Sequence, residues 1–277
     1  MDRYKLLIET NDSKGLIYMV SKILFDYDLN IENNSEFVDK NEKKFFMRTE
    51  FSGKIDQHKL KNDILKNLHK DSLISLKKVT KKDIVILASK ESHVLGDLLI
   101  RYESGELQVN IKAVISNFET TKNLTEKFDI PFFHIPTTNL SRQQHEQLVS
   151  KKIDDFKPDI IVLAKYMRVL TPAFVKTYGE KLLNIHHSFL PAFIGANPYQ
   201  MAYDRGVKIV GATAHFVTDE LDEGPIICQD IVHIDHTYTA IDMQKAGRNV
   251  EKIVLSDALN LLLEDRVLTY NNKTVIL

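Results

Sequence analysis

Two stretches of the chain concentrate the side chains best suited to chemistry. The first is Asn184-Ile185-His186-His187-Ser188-Phe189-Leu190-Pro191, which places an amide, two imidazoles and a hydroxyl at the end of an apolar run. Asn184 and His186 are two positions apart, so on an extended backbone they face the same side. An amide N–H and an imidazolium N–H so placed can grip one oxygen and offset its negative charge, which suits the tetrahedral oxyanion of acyl transfer. His187 is expected to point the other way. Adjacent histidines on a strand do not converge on one ion, which weakens a metal reading.

The second stretch is His215-Phe216-Val217-Thr218-Asp219-Glu220-Leu221-Asp222-Glu223-Gly224-Pro225, with four carboxylates in five positions before a Gly-Pro turn. Crowding of like charge predicts that at least one of these carboxyls is raised in pKa. A carboxylate beside His186 could order a water and take its proton. On composition alone the acidic run also reads as a surface turn, and the Asn-Ile-His-His run as structural. His233, His236 and Cys228 form no zinc spacing and are read as structural or surface residues.

The surrounding pattern is that of an α/β unit. Ile84–Ala88, Ile111–Ser116, Phe132–Ile135, Ile160–Ala164 and Leu182–Ile185 are short, nearly continuous apolar runs. Helical stretches near Leu95–Tyr102, Leu124–Phe128, His145–Ile153 and Phe174–Tyr178 separate them. Such alternation implies a parallel, doubly wound, Rossmann-like sheet with ligands bound beyond the strands' carboxyl ends. After Val207 the chain is more β-rich, with Lys208–Val217 and Pro225–Ile234. A helix from about Thr239 to Glu264 and a last strand at Lys273–Leu277 follow.

Residues 1–79 read as a separate unit. Tyr4–Glu9 is a strand, and Leu16, Ile17, Val20, Ile23, Leu24 and Tyr27 follow helical spacing. Leu29–Val38 and Phe45–Phe51 form a strand pair around the turn Asp39-Lys40-Asn41-Glu42. In the second of them Phe45, Met47 and Phe51 share one face and Arg48 and Glu50 the other. Ile64, Leu65 and Leu68 suggest a second helix, and Leu73–Val79 the last strand. The order βαββαβ is the ferredoxin-like arrangement. Lys77, Lys78, Lys81 and Lys82 mark a solvated linker at 80–82, which leaves 83–277 as the larger domain.

Composition bounds the classes. With 277 residues, 43% hydrophobic and 27% charged residues and a net charge of −1, the chain suits two ordinary globular domains. The near-zero charge argues against a nucleic-acid or anionic-membrane partner. The single cysteine allows no intrachain disulfide and fits a reducing compartment. No apolar run approaches a membrane span. The start Met1-Asp2-Arg3-Tyr4-Lys5 lacks a signal-peptide core, so the expectation is cytoplasmic.

Together these motifs resemble those of a known family. Asn184–Ala196 resembles the signature of the formyl-folate formyltransferase fold, and Ala212–Pro225 resembles that family's second signature. The doubled histidine, with Ser89-Lys90-Glu91-Ser92-His93 and Leu163-Ala164-Lys165-Tyr166-Met167-Arg168, is similar to the formyltetrahydrofolate deformylase branch. Residues 1–79 resemble an ACT-type regulatory domain. The resemblance implies that Asn184, His186 and Asp222 are the catalytic trio and that Met167, Arg168, Val169 and Leu170 line the pterin pocket. It further implies that His215 lies near the reacting groups, that His187 binds substrate, and that Glu220 to Gly224 form a mobile folate-binding loop. Asn197, Gln200, Ser92 and Val94 depart from the branch, and this bears on substrate contacts rather than on the reaction class.

The implied reaction is hydrolysis of 10-formyltetrahydrofolate to tetrahydrofolate and formate, feeding purine synthesis, with no metal or redox cofactor. Asp222 would take a proton from water while Asn184 and protonated His186 hold the oxyanion. The alternative is formyl transfer to an amine such as glycinamide ribonucleotide. That reaction needs a phosphate cradle, which the family builds from a glycine-rich loop after the first strand of the catalytic domain. The corresponding Ser89–Leu95 has no glycine and carries Glu91, although Lys90 and His93 could attract an anion.

A third reading makes the chain an amino-acid-binding regulatory protein. Asp12 and Gly15, between the first strand and helix, resemble the effector loop of ACT-type domains. Asp12 or Ser13 would equally serve as a helix cap. Paired domains of this type and sheet edges imply a homo-oligomer, dimer or tetramer.

Overall fold

Tyr4, Leu6 and Ile8 project from β1 (Arg3–Asn11) into the first core, where α1 (Leu16–Asp26) meets them with Leu16, Val20 and Leu24. β2 (Asn30–Asp39), β3 (Lys44–Ser52), α2 (Gln57–Leu65) and β4 (Leu73–Lys78) complete the unit. The sheet order is β2-β3-β1-β4 with antiparallel neighbours throughout, the expected ferredoxin-like arrangement. α2 starts earlier than its apolar spacing suggests. Asp56 accepts hydrogen bonds from the backbone N–H groups of His58 and Lys59 and so caps it.

The structure is a computed structural model describing residues 2–192 and 198–277. It divides into one unit running to Thr80, joined by Asp265–Leu268 and Val275–Leu277, and a second comprising Lys81–Glu264 and Thr269–Thr274. The first unit departs from the expected pattern of β3. Phe45, Met47 and Phe51 do face its core, but Phe46 and Arg48 on the other face are buried as well. Arg48 Nε donates to the Asp265 carbonyl at 3.1 Å, and Lys5 Nζ donates to Asp265 Oδ2 at 3.1 Å. A segment more than two hundred residues away covers this face, so no local pattern announces it.

In the second unit the strands are β5 (Lys82–Ala88), β6 (Val109–Ser116), β7 (Phe132–His134), β8 (Ile160–Ala164), β9 (Leu182–His186), β10 (Ile209–Phe216) and β11 (Ile226–His233). The helices are α3 (His93–Glu103), α4 (Lys122–Glu126), α5 (Arg142–Asp154), α6 (Pro172–Tyr178), α7 (Pro198–Arg205) and α8 (Ala240–Leu263). The sheet order is β11-β10-β9-β8-β5-β6-β7. From β9 to β7 all pairs are parallel, whereas β10 and β11 extend the sheet antiparallel. Near-continuous burial of β5 and β8 reflects cover on both faces.

The chain leaves β5 toward β6 and later returns on its other side through β8, so the order reverses between them, the position where such sheets bind ligands. Two elements have no clear sequence signal. α7 buries only Pro198, Tyr199 and Ala202, too few for a periodic stripe. β12 (Val267–Tyr270), which pairs with β13 (Lys273–Ile276), is half-buried along its whole length.

Candidate active site

β9 and β10 bring the two chemical stretches together. In their antiparallel register His215 lies opposite Asn184, and Thr213 opposite His186. A register shift in the β10–β11 pairing falls between Ala214 and His215, where an irregular ladder can re-aim a side chain. His215 Nδ1 bonds to the Phe216 carbonyl at 2.8 Å, so that nitrogen carries the proton. The lone pair on Nε2 then accepts an N–H from Asn184 Nδ2 at 3.1 Å. Burial holds His215 below the ordinary histidine value, so the ring is neutral at pH 7 and can accept that bond. One N–H of the Asn184 amide is thereby committed to His215, which leaves its second N–H for the site.

His186 is buried, and its Nδ1 lies 3.2 Å from Asp222 Oδ2. The other Asp222 oxygen, Oδ1, is 3.8 Å from His215 Nε2. Among the described residues, the buried Nε2 of His186 has no hydrogen-bond partner and is available to a substrate. Asp222 is not a raised carboxyl. Burial favours its neutral form, but the hydrogen bond from His186, with that histidine's charge, outweighs this and holds Asp222 below the ordinary value. The reason is geometric. Asp222 adopts φ 58°, which turns it from its acidic neighbours toward the histidines. Asp219, Glu220 and Glu223 remain exposed.

Gly224 secures the loop's return. A Cβ there would fall 1.8 Å from the Phe216 carbonyl oxygen, so no other residue fits without moving the backbone.

These groups face a cavity of about 360 Å³ whose lining includes Asn184, His186, His187, His215 and Asp222 on one side and Met167, Arg168, Val169 and Leu170 on another. The loop carrying the latter four leaves β8 at Lys165, which has φ 57°. Ser89, at the end of β5, accepts the Met167 N–H through Oγ at 3.2 Å and is itself bonded to Asn117. Met167 and Val169 are exposed apolar residues, a surface for a flat ring. Glu220 and Gly224 do not line the cavity: Glu220 faces outward, and Gly224 serves the turn.

His187 also differs from expectation. β9 ends at His186, so strand alternation no longer applies, and the His187 ring stacks on His186 with centroids 5.1 Å apart. Burial, with the nearby charge of Lys165, pushes it down to about 4.

A buried ionic cluster beside this cavity has no signal in the sequence. Glu251 on α8 bonds His93 Nε2 at 2.8 Å and Tyr199 OH at 2.9 Å, and pairs with Lys165 Nζ at 3.3 Å. Burial would raise Glu251, but these bonds and the lysine charge bring it down to about 2. Glu91 adjoins the cluster through Arg248 Nη2 at 3.1 Å. Together they border a second cavity of about 250 Å³, which shares Lys165, Met167 and His187 with the first and includes Gln200. Lys90, in turn, lies over the Phe118 ring.

Asp12 and Gly15 lie in the first unit. Gly15 is the N-cap of α1 at φ 86° with no side-chain cap bond, so Asp12 and Ser13 do not cap the helix. Asp12 is exposed, and its backbone N–H bonds the Lys43 carbonyl. Residues 193–196 of the first signature, and Asn197 after it, lie outside the described residues.

The doubly wound sheet that carries Asn184, His186 and Asp222 beside an apolar-walled cleft belongs to the Formyl transferase class, whose family model matches residues 82–259. The match to solved structures extends further. A formyltetrahydrofolate deformylase from Pseudomonas syringae pv. tomato superposes with a TM-score of 0.94 at 39% identity, over 100% of this chain and 94% of that one. The formyltetrahydrofolate deformylase of Haemophilus influenzae is 52% identical over 98% of both chains. Glycinamide ribonucleotide transformylase 1 from Symbiobacterium toebii covers only 71% of this chain and 94% of its own, with a TM-score of 0.68 at 28% identity. The chain belongs to the formyltetrahydrofolate deformylase family.

Proposed function

We propose that the chain hydrolyses 10-formyltetrahydrofolate to tetrahydrofolate and formate, with Asp222, His186 and Asn184 as the catalytic residues. The observation that carries this is the Asp222–His186 pair beside the amide of Asn184. The Asp222 carboxylate takes a proton from water as the oxygen attacks the formyl carbon. Asn184 and His186 donate to the oxyanion. The C–N bond then breaks, and the proton passes through His186 to the folate nitrogen. Met167, Arg168, Val169 and Leu170 form the wall for the pterin ring, with His187 and His215 beside the reacting atoms. Glu220 and Gly224 act through the loop they belong to. No metal or redox cofactor enters these steps.

Water as acceptor is supported by the Ser89–His93 stretch. A transferase would hold a phosphate there with free backbone N–H groups. Here Glu91 and Glu251 place two carboxylates at the second cavity, His93 is bonded to Glu251, and the exposed Lys90 lies over the Phe118 ring. The test is formate release from 10-formyltetrahydrofolate with a chelator and no amine. Steady turnover supports hydrolysis. Turnover only after glycinamide ribonucleotide is added refutes it.

The N-terminal domain, residues 1–79, is proposed as an ACT-type regulatory module, joined through the linker at 80–82, whose last residue already belongs to β5, to a catalytic domain at 83–277 from which 265–268 and 275–277 return to the first unit. The left-handed Gly15 and exposed Asp12 support an amino-acid effector there. Titration calorimetry with amino acids checks it, and no heat with any of them refutes it. The edge strands β2 and β4 support a homo-oligomer, measurable by sedimentation. Formate release for purine synthesis and folate balance in the cytoplasm is the role consistent with this chemistry. Among the described residues, no helix is long and apolar enough to cross a membrane.

A further inference from the structure

Asn271 and Asn272 form the turn between β12 and β13, with φ values of 47° and 57°. Two successive left-handed residues make a tight hairpin turn, a conformation asparagine tolerates better than most side chains. The turn also reaches the acid loop. Asn272 Nδ2 donates to the Glu223 carbonyl at 2.9 Å, and Thr274 Oγ1 donates to the Ile226 carbonyl at 2.6 Å. Glu223 directly follows Asp222, and Ile226 opens β11. The two bonds therefore grip the loop just after its carboxylate and where it re-enters the sheet.

The loop depends on such a hold. Asp222 sits in the left-handed region, which is costly for a residue with a side chain. The backbone bond from Glu223 to Glu220 is long, at 3.4 Å. Gly224 fixes the loop against Phe216 on one side, and the asparagine turn holds the next carbonyl upstream.

We propose that the 270–273 turn is a clamp on the acid loop, with Asn272 as a positioning residue that keeps the Asp222 carboxylate against His186. Its catalytic consequence rests on the reading of Asp222 as the base. Asn272 is exposed, so its side chain has no part in a core.

The test uses the full chain carrying Asn272→Gly, Asn272→Asp or Thr274→Val. Glycine keeps the left-handed turn and deletes the amide. Aspartate keeps the turn and sets an acceptor against a carbonyl. The clamp predicts that kcat falls roughly ten- to hundred-fold, as for a small misplacement of a reacting group. KM for the folate and Tm stay near wild type, and Asn272→Asp costs more kcat than Asn272→Gly. An activity-independent readout accompanies this: the imidazole Nδ1–H resonance of His186 that the Asp222 bond produces. The clamp predicts that Asn272→Gly shifts or loses this resonance, as Asp222→Asn does. An unshifted resonance with unchanged kcat overturns the proposal, and so does a loss of kcat that only follows a fall in Tm. A wild-type chain that releases no formate would refute the proposed reaction instead, and the resonance would still decide the clamp.

Discussion

His215 faces Asn184 across the β9–β10 ladder and accepts the amide N–H on Nε2 at 3.1 Å, while its Nδ1 is tied to the Phe216 carbonyl. The histidine is a tool for orienting an amide. A free asparagine could present either end to the substrate. This one is held through one N–H on His215, with its second N–H ready for developing negative charge without reorganisation. Asn184→Ala is therefore expected to lower kcat by about 10²–10³, the usual cost of one oxyanion donor. His215→Phe leaves the Asn184 donor in place but removes the bond that orients it and the neighbouring imidazole of Asp222, and should cost less. Steady-state kinetics of formate release check both, and a larger loss in the His215 variant would reverse the assigned order.

Ser89 acts on binding rather than chemistry. Its Oγ accepts the Met167 N–H, which sets the backbone of the apolar wall. Ser89→Ala deletes that bond, worth about 0.5–1.5 kcal/mol. The expected result is a KM raised several-fold with kcat unchanged. A fall in kcat alone would contradict this division of labour.

Glu251 matters to stability. Glu251→Ala would leave the buried Lys165 without its carboxylate, at a cost of about 3–5 kcal/mol. The double variant Glu251→Gln with Lys165→Met removes both charges and should recover much of that loss. Urea denaturation measures it. Additive effects of the two substitutions would show that the pair is not coupled.

His187 predicts a pH dependence of folding. Folded, it takes a proton only near about 4; unfolded, it does so near its ordinary 6.5. Between these values the unfolded chain holds the extra proton, so stability falls as pH drops from 6.5 toward 4 and levels off below. Asp222 and Glu251 are shifted in the same direction, from lower starting values. Their stabilisation is present above the ordinary carboxyl values and is lost at lower pH still, as each is protonated in the folded state. His187→Gln should flatten the urea-midpoint profile between pH 6.5 and about 4. Parallel profiles for variant and wild type would contradict the buried neutral ring.

Most of the strands could be read from sequence because β5, β8 and β9 are short apolar runs bounded by polar turns, and the 184/186 spacing survives folding as a shared face. What could not be read depends on long-range geometry. His187 lies just past a strand end, where period-two reasoning lapses. Asp222 is set by its contact with His186 on another element rather than by its sequence neighbours. Glu251 finds His93 158 residues away and Tyr199 52 residues away, and nothing in the local pattern of α8 distinguishes it from a surface glutamate. The second face of β3 was hidden for the same reason, since its cover comes from the end of the chain.

Asp222, held at 3.2 Å from His186, is assigned as the base that makes water a nucleophile, and the whole mechanism turns on it. Asp222→Asn keeps the size and the left-handed loop while removing the charge. Formate release and equilibrium folate binding, measured on that variant beside wild type, test it most directly. The predicted kcat is lower by roughly three or more orders of magnitude, at the upper end of or beyond the 10²–10⁴ typical of one acid–base group because the proton relay through His186 is lost as well. Folate binding should be nearly unchanged. Near-normal formate release by the variant would contradict the mechanism outright.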